Sequence, residues 1–152
     1  KKVIKKVTVL FFFTLLILVG CTNQNEMTLE DINRVQLEIV DTEILDDGMR
    51  YQIKLLNGSN YTIKQNIVHF TYPIKLDNGI SDNTYKVEAT NNKLNIQPGE
   101  ELLLNVFTPF EGMAEKDILA LDQPIVSIVG YLKQVDEESK FSNSRSILLV
   151  QQ

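Results

Sequence analysis

Cys21 and His69 are the residues best suited to chemistry, and each type occurs once in the 152-residue chain. A single cysteine allows neither an internal disulfide nor a zinc site built from several thiolates. A single histidine can serve one acid–base step, as in a triad whose imidazole lies between a hydroxyl and a carboxylate. His69, however, lies in an apolar run that favours a strand, and the chain has no Gly-x-Ser-x-Gly nucleophile turn. We therefore expect a half-buried structural histidine and no enzymatic activity.

Acidic residues gather around two turns of the chain. The first group surrounds Gly48 and the second flanks Gly79: Asp41, Glu43, Asp46 and Asp47, then Asp77 and Asp82. Calcium takes oxygen ligands of this kind, but neither group matches the spacing of an EF-hand loop. Asp and Asn are common in turns because their side chains bond to the backbone. We expect no metal ion and no cofactor, and nothing nominates a pair of glycosidase carboxylates.

The first residues have the plan of an export signal. Residues 1–6 contain four lysines, and residues 7–20 carry no charge. A basic head before a short apolar run is typical of a secretory signal, and the run is shorter than the ~20 residues of a membrane span. The run ends in Leu18-Val19-Gly20-Cys21, which resembles the lipobox of bacterial lipoprotein precursors, Leu-x-[Gly/Ala]-Cys.

This resemblance implies that the Cys21 thiol receives a diacylglyceryl group and that the chain is cut just before it. Residues 1–20 then form a signal peptide with its signal helix, residues 21–34 a lipidated tether, and residues 35–152 the folded domain. Two or three acyl chains hold a protein stably on a bilayer, since each buried CH₂ contributes about 0.8 kcal/mol. We expect a lipid anchor on the extracytoplasmic face of the cell membrane. The alternatives are an ordinary signal peptide with an incidental cysteine, or an uncleaved anchor.

The predicted cleavage leaves an acidic protein. Four of the 15 basic residues lie in residues 1–20, so 11 remain against 20 acidic ones, a net charge of −9. Such a balance argues against nucleic acid as a partner, which needs clusters of Lys and Arg. The composition, rich in Asn, Ile and Lys, resembles that of proteins from Gram-positive bacteria. Within the tether, residues 28–31 allow either a capped helical turn or an extended segment.

From Val35 onward, apolar residues alternate with polar ones, which is typical of strands with one buried face. The segment Met49–Leu55 shows the pattern most clearly, and Asp46-Asp47-Gly48 before it is a hairpin signal. Turn signals recur roughly every 10–15 residues, so we predict an all-β fold, an antiparallel sandwich of about seven or eight strands. One short helix is expected over residues 111–121.

This arrangement resembles the immunoglobulin-like domains of small Gram-positive lipoproteins. The resemblance covers roughly residues 35–151 and includes the turn Ile96-Gln97-Pro98-Gly99-Glu100. The Cys…Trp…Cys pattern of antibody domains is absent from the sequence, so that subgroup is excluded. Because many unrelated functions share this sandwich, the resemblance implies a fold and not an activity.

The candidate binding loop of the domain follows its strongest late strand. Phe110 and Met113 are large apolar residues in a loop, where they would form an exposed recognition patch. Alternatively, Phe107 belongs to the core and Phe110 packs on the following helix. We expect a non-enzymatic, lipid-anchored module that binds a protein or cell-wall component. A second hypothesis is an inhibitor or immunity-type protein acting on a secreted enzyme, and a third is a hydrolase with an unrecognised carboxylate site.

Overall fold

A computed structural model describes residues 27–111 and 116–147. They form one α-helix, α1 (Leu29–Asn33), and two 3₁₀ turns at Lys116–Ile118 and Glu137–Ser139. The nine strands are β1 (Val35–Ile44), β2 (Gly48–Asn57), β3 (Ile63–Thr71), β4 (Ile74–Leu76), β5 (Gly79–Ser81), β6 (Val87–Glu88), β7 (Glu101–Pro109), β8 (Ile125–Leu132) and β9 (Lys140–Ser146). The predicted signal peptide, Cys21 and Met113 lie outside the described residues.

Seven of these strands form two antiparallel sheets. The first sheet has the order β1-β2-β7, the second has the order β6-β3-β8-β9, and β4 and β5 form a separate hairpin. Buried side chains of both sheets meet in one core: Val35, Leu37, Tyr51, Ile53, Leu55, Leu104 and Val106 from the first, and Ile63, Val68, Phe70, Val126, Ile128, Leu132 and Phe141 from the second. The all-β prediction, with antiparallel sheets packed as a sandwich, is confirmed.

β2 illustrates why the sequence folds this way. Tyr51, Ile53 and Leu55 are fully buried, whereas the residues between them point to the other face of the sheet. Successive side chains of a strand alternate between faces, so this spacing places three large apolar groups on the core side. Full burial of each such side chain stabilises the fold by roughly 1.5–3 kcal/mol.

Three aromatic rings join the two sheets. The rings of Tyr51 and Phe70 stack with their centroids 4.5 Å apart, and Tyr72 meets Phe70 edge-on at 5.1 Å. The Tyr51 and Tyr72 hydroxyls are hydrogen-bonded to each other, and Thr108 Oγ1 lies 3.4 Å from the Tyr72 hydroxyl. Burial raises the pKa of both tyrosines, because it disfavours the charged phenolate.

The two ends of the sandwich differ. At the end named here the α1 end, the Gly58 N–H donates to the Arg34 carbonyl oxygen at 3.0 Å. At the same end, the Asn143 amide donates to the carbonyl oxygens of Ile32 and Val35 at 3.4 and 3.0 Å. The opposite end, named the hairpin end, carries the β1–β2 turn, the β4–β5 hairpin and the connection from β7 to β8.

The described part of the segment assigned to the tether contacts the domain. The Asp31 N–H donates to Thr28 Oγ1 at 3.2 Å, and the Thr28 N–H donates to the Asp31 carboxylate at 3.1 Å, which makes a capping box. Met27 and Ile32 pack against the core. Of the two alternatives for this segment, the structure adopts the capped helical turn.

The predicted helix over residues 111–121 needs correction. Its described part contains only the 3₁₀ turn at Lys116–Ile118. Leu119 instead forms an antiparallel bridge with Ile74 of β4, and the Ala120 N–H continues this pairing. An extended backbone at Leu119 ends the helical turn, because a residue cannot hold strand and helix dihedrals together.

The number of strands also differs from the prediction. The turn expected at residues 77–79 closes the β4–β5 hairpin, whose three-residue strands are too short for alternation to reveal. The last strand among the described residues is β9 at Lys140–Ser146, in which only Phe141 is apolar, so alternation does not reveal it either. The described residues therefore contain nine strands, where the sequence predicts seven or eight.

The buried tyrosine pair leads to a stability prediction. We expect Tyr51→Phe to lower the free energy of unfolding by about 1–2 kcal/mol, because the buried Tyr72 hydroxyl loses a partner. The double variant Y51F/Y72F removes both hydroxyls and should cost less than the sum of the two single changes. Urea unfolding of the four proteins measures this coupling, and strictly additive losses would contradict a shared hydrogen bond.

The capping box leads to a pH prediction. Burial opposes ionisation of Asp31, but its hydrogen bonds from Thr28 and the nearby Arg34 charge outweigh burial and lower its pKa. A lowered folded-state pKa means that this carboxylate stabilises the fold above about pH 4, and that the contribution disappears as pH falls through the folded value.

Asp31→Asn should therefore cost about 1 kcal/mol at pH 7. The difference from the wild type should shrink as the pH falls below about 4. Urea unfolding of both proteins at pH 7 and at lower pH measures this difference in the free energy of unfolding. A difference that stays constant across this range would show that the charge of Asp31 is not the stabilising feature.

Candidate functional site

The hairpin end contains the start of the predicted binding loop. Phe110 is half-buried there, and its N–H donates to the Asp47 carbonyl oxygen at 2.9 Å. The loop therefore begins held against the β1–β2 turn. Met113, its other predicted contact residue, and the lipidation residue Cys21 lie outside the described residues, so their roles remain predictions.

Phe107 is not a core residue, contrary to one of the two interpretations of this segment. Its side chain is 40% exposed on the outer face of the first sheet, where it pairs in register with Arg50. The ring lies against Gly48, at which a Cβ atom would come within 2.6 Å of it. Glycine at this position thus lets the Phe107 ring lie across β2.

Exposed apolar side chains lie at both ends of the sandwich, and at the α1 end Leu29 and Val135 are 79% and 53% exposed. Leu76 and Ile80 of the β4–β5 hairpin are 57% and 40% exposed, and Ile44 at the end of β1 is 75% exposed. Gly79 has a φ of +138°, which glycine adopts without strain, so the hairpin can turn tightly. The result is an exposed apolar hairpin with Asp77 in its turn and Asp82 directly after it.

Several residues of the two predicted acidic clusters make ordinary surface contacts. Glu43 pairs with Arg50 across the β1–β2 ladder, and Asp82 lies 3.4 Å from the Lys86 ammonium. The Asp41 carboxylate accepts the N–H of the next residue at 2.9 Å. Within the part of the chain that the structure describes, no three His, Cys, Asp or Glu residues gather closely enough to hold a metal ion.

His69 lies on the outer face of the second sheet, half-buried between two polar neighbours. In register it faces Ser127 of β8 on one side and Glu88 of β6 on the other. This is the order of a hydroxyl, an imidazole and a carboxylate in a triad, although no hydrogen bond among the described residues joins their side chains. β3 and β8 are each paired on both sides, so their backbone N–H groups serve the ladders and do not form an oxyanion hole.

The surroundings of His69 form a sheet surface without Asp, Glu, Lys or Arg. We name it the β8 face, and its residues are Gln65, Ile67, His69, Ser127, Val129, Tyr131, Ser142 and Ser144. Ile67 and Val129 lie opposite each other at its centre and are 45% and 40% exposed. Charged residues border it at two corners, Glu88 beside His69 and Lys140 beside Tyr131.

The outer face of the first sheet carries ion pairs, although Leu103 and Phe107 are also 53% and 40% exposed on it. Lys54 pairs with Glu38 at 2.7 Å and Arg50 pairs with Glu43, so ion pairs cross the β1–β2 ladder twice. Solvated sheet faces are ordinarily polar, and these ion pairs follow that pattern. The β8 face could not be predicted from the sequence, because β9 has serines at alternate positions and therefore lacks the apolar alternation that indicates a strand.

Comparison with known proteins adds no assignment to these surfaces. No protein-family model matches the chain, and no curated protein matches it. In the described ranges, no helix has the length and hydropathy required to cross a bilayer. We therefore infer the function from the geometry of the two ends and the two outer faces.

Proposed function

We propose that the protein is a lipid-anchored, extracytoplasmic binding module without enzymatic activity, with a protein or cell-wall component as its partner. The observation that carries the proposal is an exposed apolar hairpin at the end of the sandwich opposite to chain entry. The chain enters the domain at the α1 end, whereas Leu76, Ile80 and Ile44 are exposed at the hairpin end. An anchor at Cys21 would turn the hairpin end away from the membrane.

The reach of the tether supports this orientation. Five residues separate Cys21 from Met27, so even a fully extended chain spans only about 20 Å. β8 has eight residues and is about 26 Å long, which sets the distance between the two ends. The α1 end would then stay near the bilayer, and the hairpin end would be the accessible one.

The fold within this proposal is an immunoglobulin-like sandwich. Without the β4–β5 hairpin seven strands remain, and they can be counted from first to seventh in chain order. The first sheet then has the order first-second-fifth, and the second sheet has the order fourth-third-sixth-seventh. Immunoglobulin constant domains share the first-second-fifth and third-sixth-seventh groups. The difference is the fourth strand, which pairs here with the third strand instead of the fifth. Sandwich relatives with such variations perform unrelated functions, so the fold alone does not identify the partner.

The inhibitor alternative rests on the same hairpin. A projecting turn with an exposed Leu76 is the kind of element that can enter the cleft of a secreted enzyme. Identification of the partner distinguishes the two functions. If the protein is an inhibitor, a single enzyme should be recovered with it, and the protein should reduce the activity of that enzyme saturably.

In-cell crosslinking of the acylated protein tests the proposal. We expect one partner to be recovered with the wild type and lost with Leu76→Asp, which places a charge on the hairpin. Leu103→Asp is the matched control, because Leu103 is 53% exposed on the outer face of the first sheet. Equal recovery with both variants would contradict binding through the hairpin end.

Intact-mass measurement of membrane-extracted protein tests the anchor separately. We expect a chain that begins at Cys21 with a diacylglyceryl group, and an unmodified precursor for Cys21→Ser. Hydrolytic turnover that disappears in His69→Ala would overturn the non-enzymatic part of the proposal. An unmodified Cys21 in the wild type would overturn the lipid anchor.

A further inference from the structure

We propose that the β8 face is a self-association surface through which two copies of the chain form a symmetric pair. Ile67 and Val129 stand exposed at its centre, and Tyr131, His69 and serines surround them. Charged residues are depleted from the cores of protein interfaces, where aromatic residues are enriched. A sheet surface whose central residues are apolar and uncharged has the composition of an interface core.

The corner charges indicate a second copy as the occupant. Glu88 and Lys140 are exposed, and neither has an ion-pair partner in the described part of the chain. They lie on the two edge strands of the sheet, about 14 Å apart across the strands because three strand spacings separate them. Along the strands they are four residues apart, as Ser127 and Tyr131 are, which is about 13 Å.

A two-fold axis between two such faces makes these corners complementary. Let the axis lie in the plane of the interface, perpendicular to the line from Glu88 to Lys140 and through its midpoint. Each Glu88 then lies opposite Lys140 of the second copy. Two ion pairs then form by one operation, as expected for an interface that uses the same patch twice. The axis passes between Ile67 and Val129, so the apolar centre meets itself.

This operation also fixes how the sheets cross. The line from Glu88 to Lys140 runs at about 45° to the strands, since the separation of about 14 Å across the strands nearly equals the separation of about 13 Å along them. Rotation about the bisecting axis therefore sets the two sheets at about 90°, one of the two angles at which sheets pack. The symmetry that pairs the charges is thus one that sheet packing permits.

The size of the face sets the strength of the pair. Three strands of about 26 Å on average and the two-residue β6 cover about 400 Å² per copy, or about 800 Å² in total. This lies below the ~1,000 Å² of a stable interface, so we expect a weak, concentration-dependent dimer. Acylated copies confined to one membrane surface would meet more often than copies in solution.

Charge exchange in the full chain tests the proposal. Sedimentation in detergent between about 10 µM and 1 mM should show a dimer, and E88K or K140E should raise its dissociation constant at least tenfold by placing like charges opposite each other. The double variant E88K/K140E should restore it to within about threefold. Glu101→Lys is the matched control, because it makes the same charge change on the outer face of the first sheet.

A thiol crosslink provides an independent readout with the native thiol removed by Cys21→Ser. Facing sheets lie about 10 Å apart, so a short bismaleimide should join two copies of Val129→Cys close to the axis. Leu103→Cys on the other face should stay monomeric. The proposal is overturned if the wild type stays monomeric, if E88K and E101K weaken association equally, or if both cysteine variants crosslink alike.

Discussion

One fully buried amide side chain determines how the chain passes between the two sheets. The Asn57 amide nitrogen donates to the carbonyl oxygens of Tyr61 and Ile96 at 2.8 and 2.9 Å, and its oxygen accepts the Ser59 N–H and hydroxyl at 3.2 and 2.7 Å. Its backbone pairs with the 97–100 turn that starts β7. A buried amide is tolerated only when it is bonded in this way, so the crossover from β2 to β3 has one conformation.

The closed α1 end gives the molecule a direction. Asn57 and the capped α1 bring the chain entry and the crossover together, and Asn143 ties β9 to this end. At the hairpin end, Tyr51 and Tyr72 hold the sheets together from within, so the connections outside them are free to carry exposed side chains. Under the proposed function, the same core would stabilise one end for attachment and leave the other for recognition.

Local alternation explains what the sequence could predict. Apolar and polar residues alternate around Leu37 and along Met49–Leu55, and this pattern predicts β1 and β2. In β9 only Phe141 is apolar, so the strand gives no such signal. The position of His69 between Ser127 and Glu88 depends on the register of strands far apart in sequence, which the periodicity of each strand does not determine. The fold class was therefore predictable, whereas the β8 face was not.

The orientation on the membrane is the most direct test of the account. Acylated protein on vesicles can be labelled with a fluorophore at Val135→Cys of the α1 end or at Leu76→Cys of the hairpin end, which are 53% and 57% exposed in the wild type. A quencher attached to lipid headgroups then reports the distance of each label from the bilayer. We expect strong quenching at position 135 and little at position 76. Equal quenching, or stronger quenching at position 76, would contradict it.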